Sequence, residues 1–92
     1  MTKEDLIKIY PNPFSTSTTV NINGQIKTSN GEFSMYDVFG REVKKLSIAN
    51  YPRLPDGQAF SIQRGDLPSG VYFYRITFTD KTGVATGKLV VL

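Results

Sequence analysis

The chain holds no Cys and no His, which closes it to thiolate and imidazole chemistry: no disulfide, no zinc site of the usual ligands, no cysteine nucleophile and no histidine general base. Its eight Asp and Glu residues are dispersed, with no Asp-x-Asp calcium loop and no pair whose surroundings would separate an acid from a base. The residue types point away from an enzyme, and no cofactor or metal is expected. Arg41, Lys44, Lys45, Arg53 and Arg64 carry positive charge without interleaved aromatics or a nucleic-acid fold signature, so they read as a solvated face and no nucleic-acid partner is expected. What remains are three stretches that fix backbone geometry or present it.

The first is Ile9-Tyr10-Pro11-Asn12-Pro13-Phe14. Each proline fixes its own φ and pushes the residue before it out of the helical region, so Tyr10 and Asn12 are held extended in a stiff strut. Asn12 can bond to nearby backbone and close the bend, while Tyr10 and Phe14 can flank a core. The plainer reading is a strand exit; the functional one is a spacer that sets how an upstream module leaves the domain. The second is Leu67-Pro68-Ser69-Gly70-Val71-Tyr72-Phe73-Tyr74-Arg75-Ile76. Pro68 and Ser69 suit a turn, and Gly70 releases the chain into a strand. Tyr72, Tyr74, Ile76 and Phe78 share one face of it; Val71 and Phe73 on the other suggest burial on both sides and a central strand. A Gly-x-Tyr opening a late strand echoes the tyrosine corner of immunoglobulin-like sandwiches, whose phenol bonds to upstream backbone. Sugar stacking is the rival reading of these aromatics.

The third stretch is Gly87-Lys88-Leu89-Val90-Val91-Leu92. A terminal strand at a sheet edge offers backbone groups for strand addition by another chain, with Lys88 as the guard against indiscriminate pairing. The same edge makes self-association through strand pairing available. The plainer reading is a last core strand with no partner. Neither Lys88 nor the strand around it is evidently required for an interior, which makes Gly87–Leu92 the candidate contact with a partner.

The elements that must position these stretches are strands. At 92 residues and 10.3 kDa the chain supplies one small domain, with eleven aromatics (five Tyr, six Phe) for a single core. No stretch keeps a helical apolar period for three turns. β-Branched and aromatic residues recur instead in seven short runs: 6–10, 18–22, 32–38, 41–48, 58–63, 71–79 and 84–92. Val20 and Ile22, Phe33 and Met35, and Phe60 and Ile62 alternate with polar residues, so each run has one dry face. Asn23-Gly24, Asn30-Gly31 and Asp80 to Gly83 read as hairpin connections offering positive φ. Asp37 to Gly40 joins the third and fourth strands antiparallel, with Gly40 left-handed and Asp37 accepting from turn backbone. Val43 is out of phase with Leu46 and Ile48, so a bulge is expected near Lys44 and Lys45. From Ala49 to Gly57, two prolines suggest a crossover between sheets. The expected fold is all-β, an immunoglobulin-like sandwich of about seven antiparallel strands. The net charge of +3 is mild; the first five residues form no signal peptide, and Leu89–Leu92 is far too short to span a bilayer. If the domain is exported, something outside this sequence carries it.

Four of these motifs in order, Tyr10 to Phe14, Met35 to Val43, Leu67 to Arg75 and Gly87 to Val91, resemble the type A C-terminal sorting domain of type IX secretion cargo, the Por secretion tail family. The resemblance covers almost the whole chain and implies a single sorting domain over 6–92, with residues 1–5 as a linker remnant and an introduced Met. Tyr10, Pro11, Asn12 and Pro13 correspond to the family's opening motif, Asp37 and Gly40 to its central turn, Gly70 and Tyr72 to its late strand, and Lys88 to its terminal motif. It implies a domain that ends a secreted protein of Bacteroidetes-type bacteria. A separate leader takes the cargo to the periplasm, outer-membrane machinery recognises the folded domain, and a cell-surface sortase then removes it near or before residue 5. The cargo is released or anchored at the surface. Gly40, Gly70 and Tyr72 are explained by turn geometry and packing, which leaves the terminal strand as the recognition candidate. The competing reading is an adhesion or carbohydrate-binding accessory module of a secreted enzyme, which exposed clusters at Phe73 or Tyr51 would favour.

Overall fold

Period-two alternation becomes two layers. The computed structural model describes residues 7–23, 30–51, 57–78 and 84–92, and in them every one of the seven expected runs is a strand: β1 (Ile7–Tyr10), β2 (Ser17–Asn23), β3 (Gly31–Tyr36), β4 (Glu42–Ser47), β5 (Gly57–Gln63), β6 (Gly70–Phe78) and β7 (Val84–Val91). A 3-10 turn at Ile48–Asn50 follows β4. The strands form two antiparallel sheets, ordered β1-β2-β5 and β4-β3-β6-β7, which makes the fold the immunoglobulin-like sandwich expected from the sequence.

The alternating residues fill the space between the layers. Ile7, Val20, Ile22, Phe60 and Ile62 from the first sheet meet Phe33, Met35, Ile76, Phe78, Leu89 and Val91 from the second, all buried. Phe33 of β3 and Phe60 of β5 cross edge to face with centroids 5.8 Å apart. Phe33 also stacks on Tyr74 at 6.0 Å, and Tyr51 on Phe60 at 5.1 Å, so one aromatic column runs through both sheets. Buried Gln58 donates to the carbonyls of Ile48 and Tyr51, which pins the expected crossover from β4 to β5.

The tyrosine corner is present: Tyr72 is buried and its hydroxyl donates to the Pro68 carbonyl at 2.6 Å. So is the turn between β3 and β4, which closes antiparallel pairing with Gly40 at φ 84°. Asp37 Oδ1 accepts from the backbone N–H groups of Phe39 (2.9 Å) and Arg41 (3.0 Å), and Oδ2 from the Arg41 guanidinium at 2.8 Å. Desolvation pushes the Asp37 carboxyl up. The bonds from Arg41 backbone and side chain and from Phe39, with the Arg41 charge, outweigh it and hold the pKa below its ordinary value.

Two expectations need correction. The link after Asn23 leads from the first sheet to the second, so it is a crossover and not a hairpin; its residues 24–29 lie outside the described ones. Gly31 accordingly sits inside β3 without positive φ, pressed against the Thr77 carbonyl. The bulge expected near Lys44 is present next to it: Met35 opposes Lys44 and Tyr36 opposes Glu42, leaving Val43 as the extra residue. β6 is central, between β3 and β7, yet its second face is open, with Val71 39% and Phe73 45% exposed. The link at Asp80 to Gly83 lies outside the described residues, although β6 and β7 pair antiparallel as a hairpin would.

Two outcomes follow from this geometry. Tyr72→Phe leaves the Pro68 carbonyl without its donor and should lower stability by about 1–2 kcal/mol, read as a shifted urea midpoint at unchanged slope. Because the Asp37 pKa is depressed on folding, its contribution is complete above the ordinary carboxylate value and is lost as pH falls through the lowered one. The Phe39 and Arg41 amide resonances should therefore titrate below the ordinary aspartate value of 3.8, and Asp37→Asn should abolish that inflection. A midpoint at or above that value contradicts the account.

Candidate functional site

β7 lies at the edge of the four-stranded sheet, as a strand-addition site requires. Its inner flank pairs with β6, from Gly70 opposite Val91 to Thr77 opposite Val84. Its outer flank is not open along its length. The prolines of Pro11-Asn12-Pro13, with both X–Pro bonds cis, carry the chain from β1 across to β7 and back to β2. There the Asn12 side chain takes the place of a strand residue: its Nδ2 donates to the Lys88 carbonyl at 2.9 Å and its Oδ1 accepts from the Val90 N–H at 3.0 Å. A primary amide offers one donor side and one acceptor side, as a peptide group does, so it satisfies a strand edge residue by residue.

Phe14 continues the closure. Its N–H donates to the Val90 carbonyl at 3.0 Å, and its carbonyl accepts from the Leu92 N–H at 2.9 Å. This is a one-residue parallel bridge with Val91, anchored by a Phe14 ring only 2% exposed. Buried Thr18 of β2 fixes the bend from the other side, donating Oγ1 to the Pro11 carbonyl at 2.6 Å. Tyr10, in contrast, is 61% exposed and does not flank the core. Asn12 also departs from expectation, since its partners are 76 and 78 residues away and not in the local bend.

Arg64, just past β5, gathers the same corner. Its guanidinium donates to the carbonyls of Leu67 (3.0 Å), Ser15 (3.2 Å) and Leu92 (2.7 Å) and to Ser69 Oγ (3.1 Å). A planar fork of donors suits such convergence. Arg64 is therefore a tie between four segments and not part of a solvated basic face. Nothing local to Arg64-Gly65-Asp66 signals this, because three of the four acceptors are backbone carbonyls.

The six terminal residues split by parity. Leu89 and Val91 are buried core, which corrects the expectation that this strand is dispensable to the interior. Gly87 carries the Tyr74 ring: a Cβ there would come within 2.5 Å of it. Lys88 and Leu92 are exposed and Val90 is half-buried, so only these three offer side chains to a partner. Gly70 pairs with Val91 at the start of β6. Of the aromatics that would favour a carbohydrate module, Tyr51 is turned onto Phe60, while Phe73 is exposed between Tyr36 and Lys88. Among the described residues no group of three carboxylates could hold a metal ion, and no helix is long and apolar enough to cross a membrane.

Comparison with known proteins agrees with this architecture. A domain in a solved structure of PorZ, described as an essential bacterial surface component of the type-IX secretion system of Porphyromonas gingivalis, superposes with a TM-score of 0.71 at 14% identity. The match covers 98% of this chain but 12% of that one, and at such identity it shows the shared fold. No curated protein matches in sequence. Residues 8–92 match the family described as secretion system C-terminal sorting domain, and this span takes in the proline motif, the central turn, the tyrosine corner and the terminal strand. The chain therefore belongs to the secretion system C-terminal sorting domain family, the sorting signal of type IX secretion.

Proposed function

We propose that this domain, residues 6–92, is an address read in its folded form: secretion machinery grips the assembled sandwich and exports the cargo fused upstream of it. Membership in the family already implies a non-catalytic signal, a fused upstream cargo and delivery to the cell surface or the medium. The finer steps belong to the proposal: passage through the periplasm under a separate leader, contact with the machinery through Gly87–Leu92, and removal by a surface sortase upstream of the fold, near or before residue 5. That junction lies outside the described residues.

One observation supports reading the fold and not a linear tag. The opening motif and the terminal motif, far apart in sequence, meet in one hydrogen-bonded corner through Asn12, Phe14 and Arg64. In an unfolded chain the two are separated and neither presents its folded shape. The carbohydrate-module reading has exposed Phe73 in its favour, but Tyr51 contributes to the core and not to a surface platform.

Fusion of residues 1–92 behind a leader-bearing reporter in a type IX secreting host tests the reading. The intact tail should place the reporter at the surface or in the medium, whereas Ile76→Asp, a carboxylate at a fully buried position, should unfold the tail and retain the reporter inside. Equal export by an unfolded tail would make the signal a linear one. Deleting residues 88–92 cannot separate contact from folding, because Leu89 and Val91 go with it; Gly87→Ala should likewise lower the melting temperature, by displacing Tyr74.

A further inference from the structure

The terminal strand offers a partner less edge than its position suggests. From the Lys88 carbonyl to the Leu92 N–H the outer flank is occupied by Asn12 and Phe14, and the inward side chains of Leu89 and Val91 are core. What remains is the outward face. Register places Val90 beside Val71, Lys88 beside Phe73, and Phe73 beside Tyr36, with Arg75 beside Thr86 in the next pair along β6. Val71 also lines a shallow cleft with Val38 and Phe39 at the turn between β3 and β4. These last two are 61% and 80% exposed.

Single exposed hydrophobics need no explanation, but a cluster brought together by register does. Apart from Tyr10, every large hydrophobic exposed among the described residues lies on this face or at its end: Val38, Phe39, Val71, Phe73 and Leu92. At the β6–β7 end the charges are cationic; a carboxylate of the face, Glu42, lies opposite Tyr36 on β4 and lines the cleft at the turn. Lys45 is paired with Glu32 and Arg41 with Asp37, whereas Arg75 and Lys88 make no ion pair among the described residues. A shallow concavity brings both cations beside Phe73 and Tyr36. An apolar centre with cations on its rim is the complement of a protein surface that is apolar at its middle and bordered by carboxylates. A sugar fits worse, since the valines here present no hydrogen-bonding groups to its hydroxyls.

We infer that the outward face of β6 and β7, centred on Val71, Phe73 and Val90 and flanked by Arg75 and Lys88, is the surface on which a protein of the secretion machinery docks, through apolar side chains bordered by carboxylates. The inference rests on the sorting function above and names the surface that serves it. The reporter fusion reads it directly. Phe73→Ser and the pair Arg75→Glu with Lys88→Glu alter exposed side chains and should keep the melting temperature of the tail, yet each should reduce export about thirtyfold or more, the range of an interface hot spot. Lys8→Glu, an equal charge change per site on the other sheet, should stay within about twofold of the intact tail.

Full export by both folded variants while Ile76→Asp is retained overturns this surface and leaves the sorting function standing; failure of the intact tail to export strikes the function itself. Light scattering of the 92-residue chain should show a monomer across concentrations. A dimer abolished by Phe73→Ser would make a second copy the occupant and overturn the inference. Binding to heparin that the same substitution removes would point to an anionic glycan and also overturn it.

Discussion

A sandwich built from open sheets has edges, and the structure depends on how the edge at β7 is closed. The last strand of the chain supplies Leu89 and Val91 to the core and pairs on one side only. Left bare, its outer flank would be a row of unpaired donors and acceptors inviting any extended chain. Asn12 and Phe14 occupy that row with four hydrogen bonds, and the burial of the Phe14 ring holds them there. The two prolines make such a closure feasible, because a segment with few conformations loses little entropy when docked.

This closure turns two sequence motifs into one structural object. Asn12 and Val90 are 78 residues apart, and bringing them together needs the whole sandwich to be in place. Arg64 adds a second dependence, since its bonds reach Ser15, Leu67, Ser69 and Leu92 only when β5, the tyrosine-corner turn and the terminal strand converge. Neither motif has its shape before the other has found it. On the proposed reading, cooperative folding is the condition for presenting the signal.

The sequence was informative where the controlling physics is local. Runs of β-branched and aromatic residues located all seven strands; Asp37 and Gly40 set their turn within four residues, and Tyr72 reaches Pro68 four residues back. It was uninformative where a residue's role is set across the fold. Asn12 read as closing its own bend, and Arg64 read as a surface charge, because amide and guanidinium groups carry no mark of a distant partner. Parity showed that Val71 and Phe73 face away from Tyr72, but it could not show that they stay exposed among the described residues. The link at 24–29 looked like a hairpin since Asn-Gly chemistry specifies a bend and says nothing of which sheet the next strand joins. The terminal residues were assigned to one role, whereas alternation within β7 gives Leu89 and Val91 to the core and Lys88 and Val90 to the outside.

That division decides between the two ways a partner could use β7. Strand addition along Lys88–Leu92 would first have to remove Asn12 and Phe14, giving up four hydrogen bonds at about 0.5–1.5 kcal/mol each and exposing a buried phenyl ring, a loss of about 3–5 kcal/mol if truncation is the guide. Together these are comparable with the whole stability of a small domain, so a partner entering by the edge would have to offset that loss with its own strand bonds before gaining any affinity. Docking on the outward face disturbs none of those bonds. It uses side chains that the fold leaves exposed after every core position and every described edge bond of the terminal segment has been assigned, and it lets the same strand hold the sandwich together inside while being read from outside.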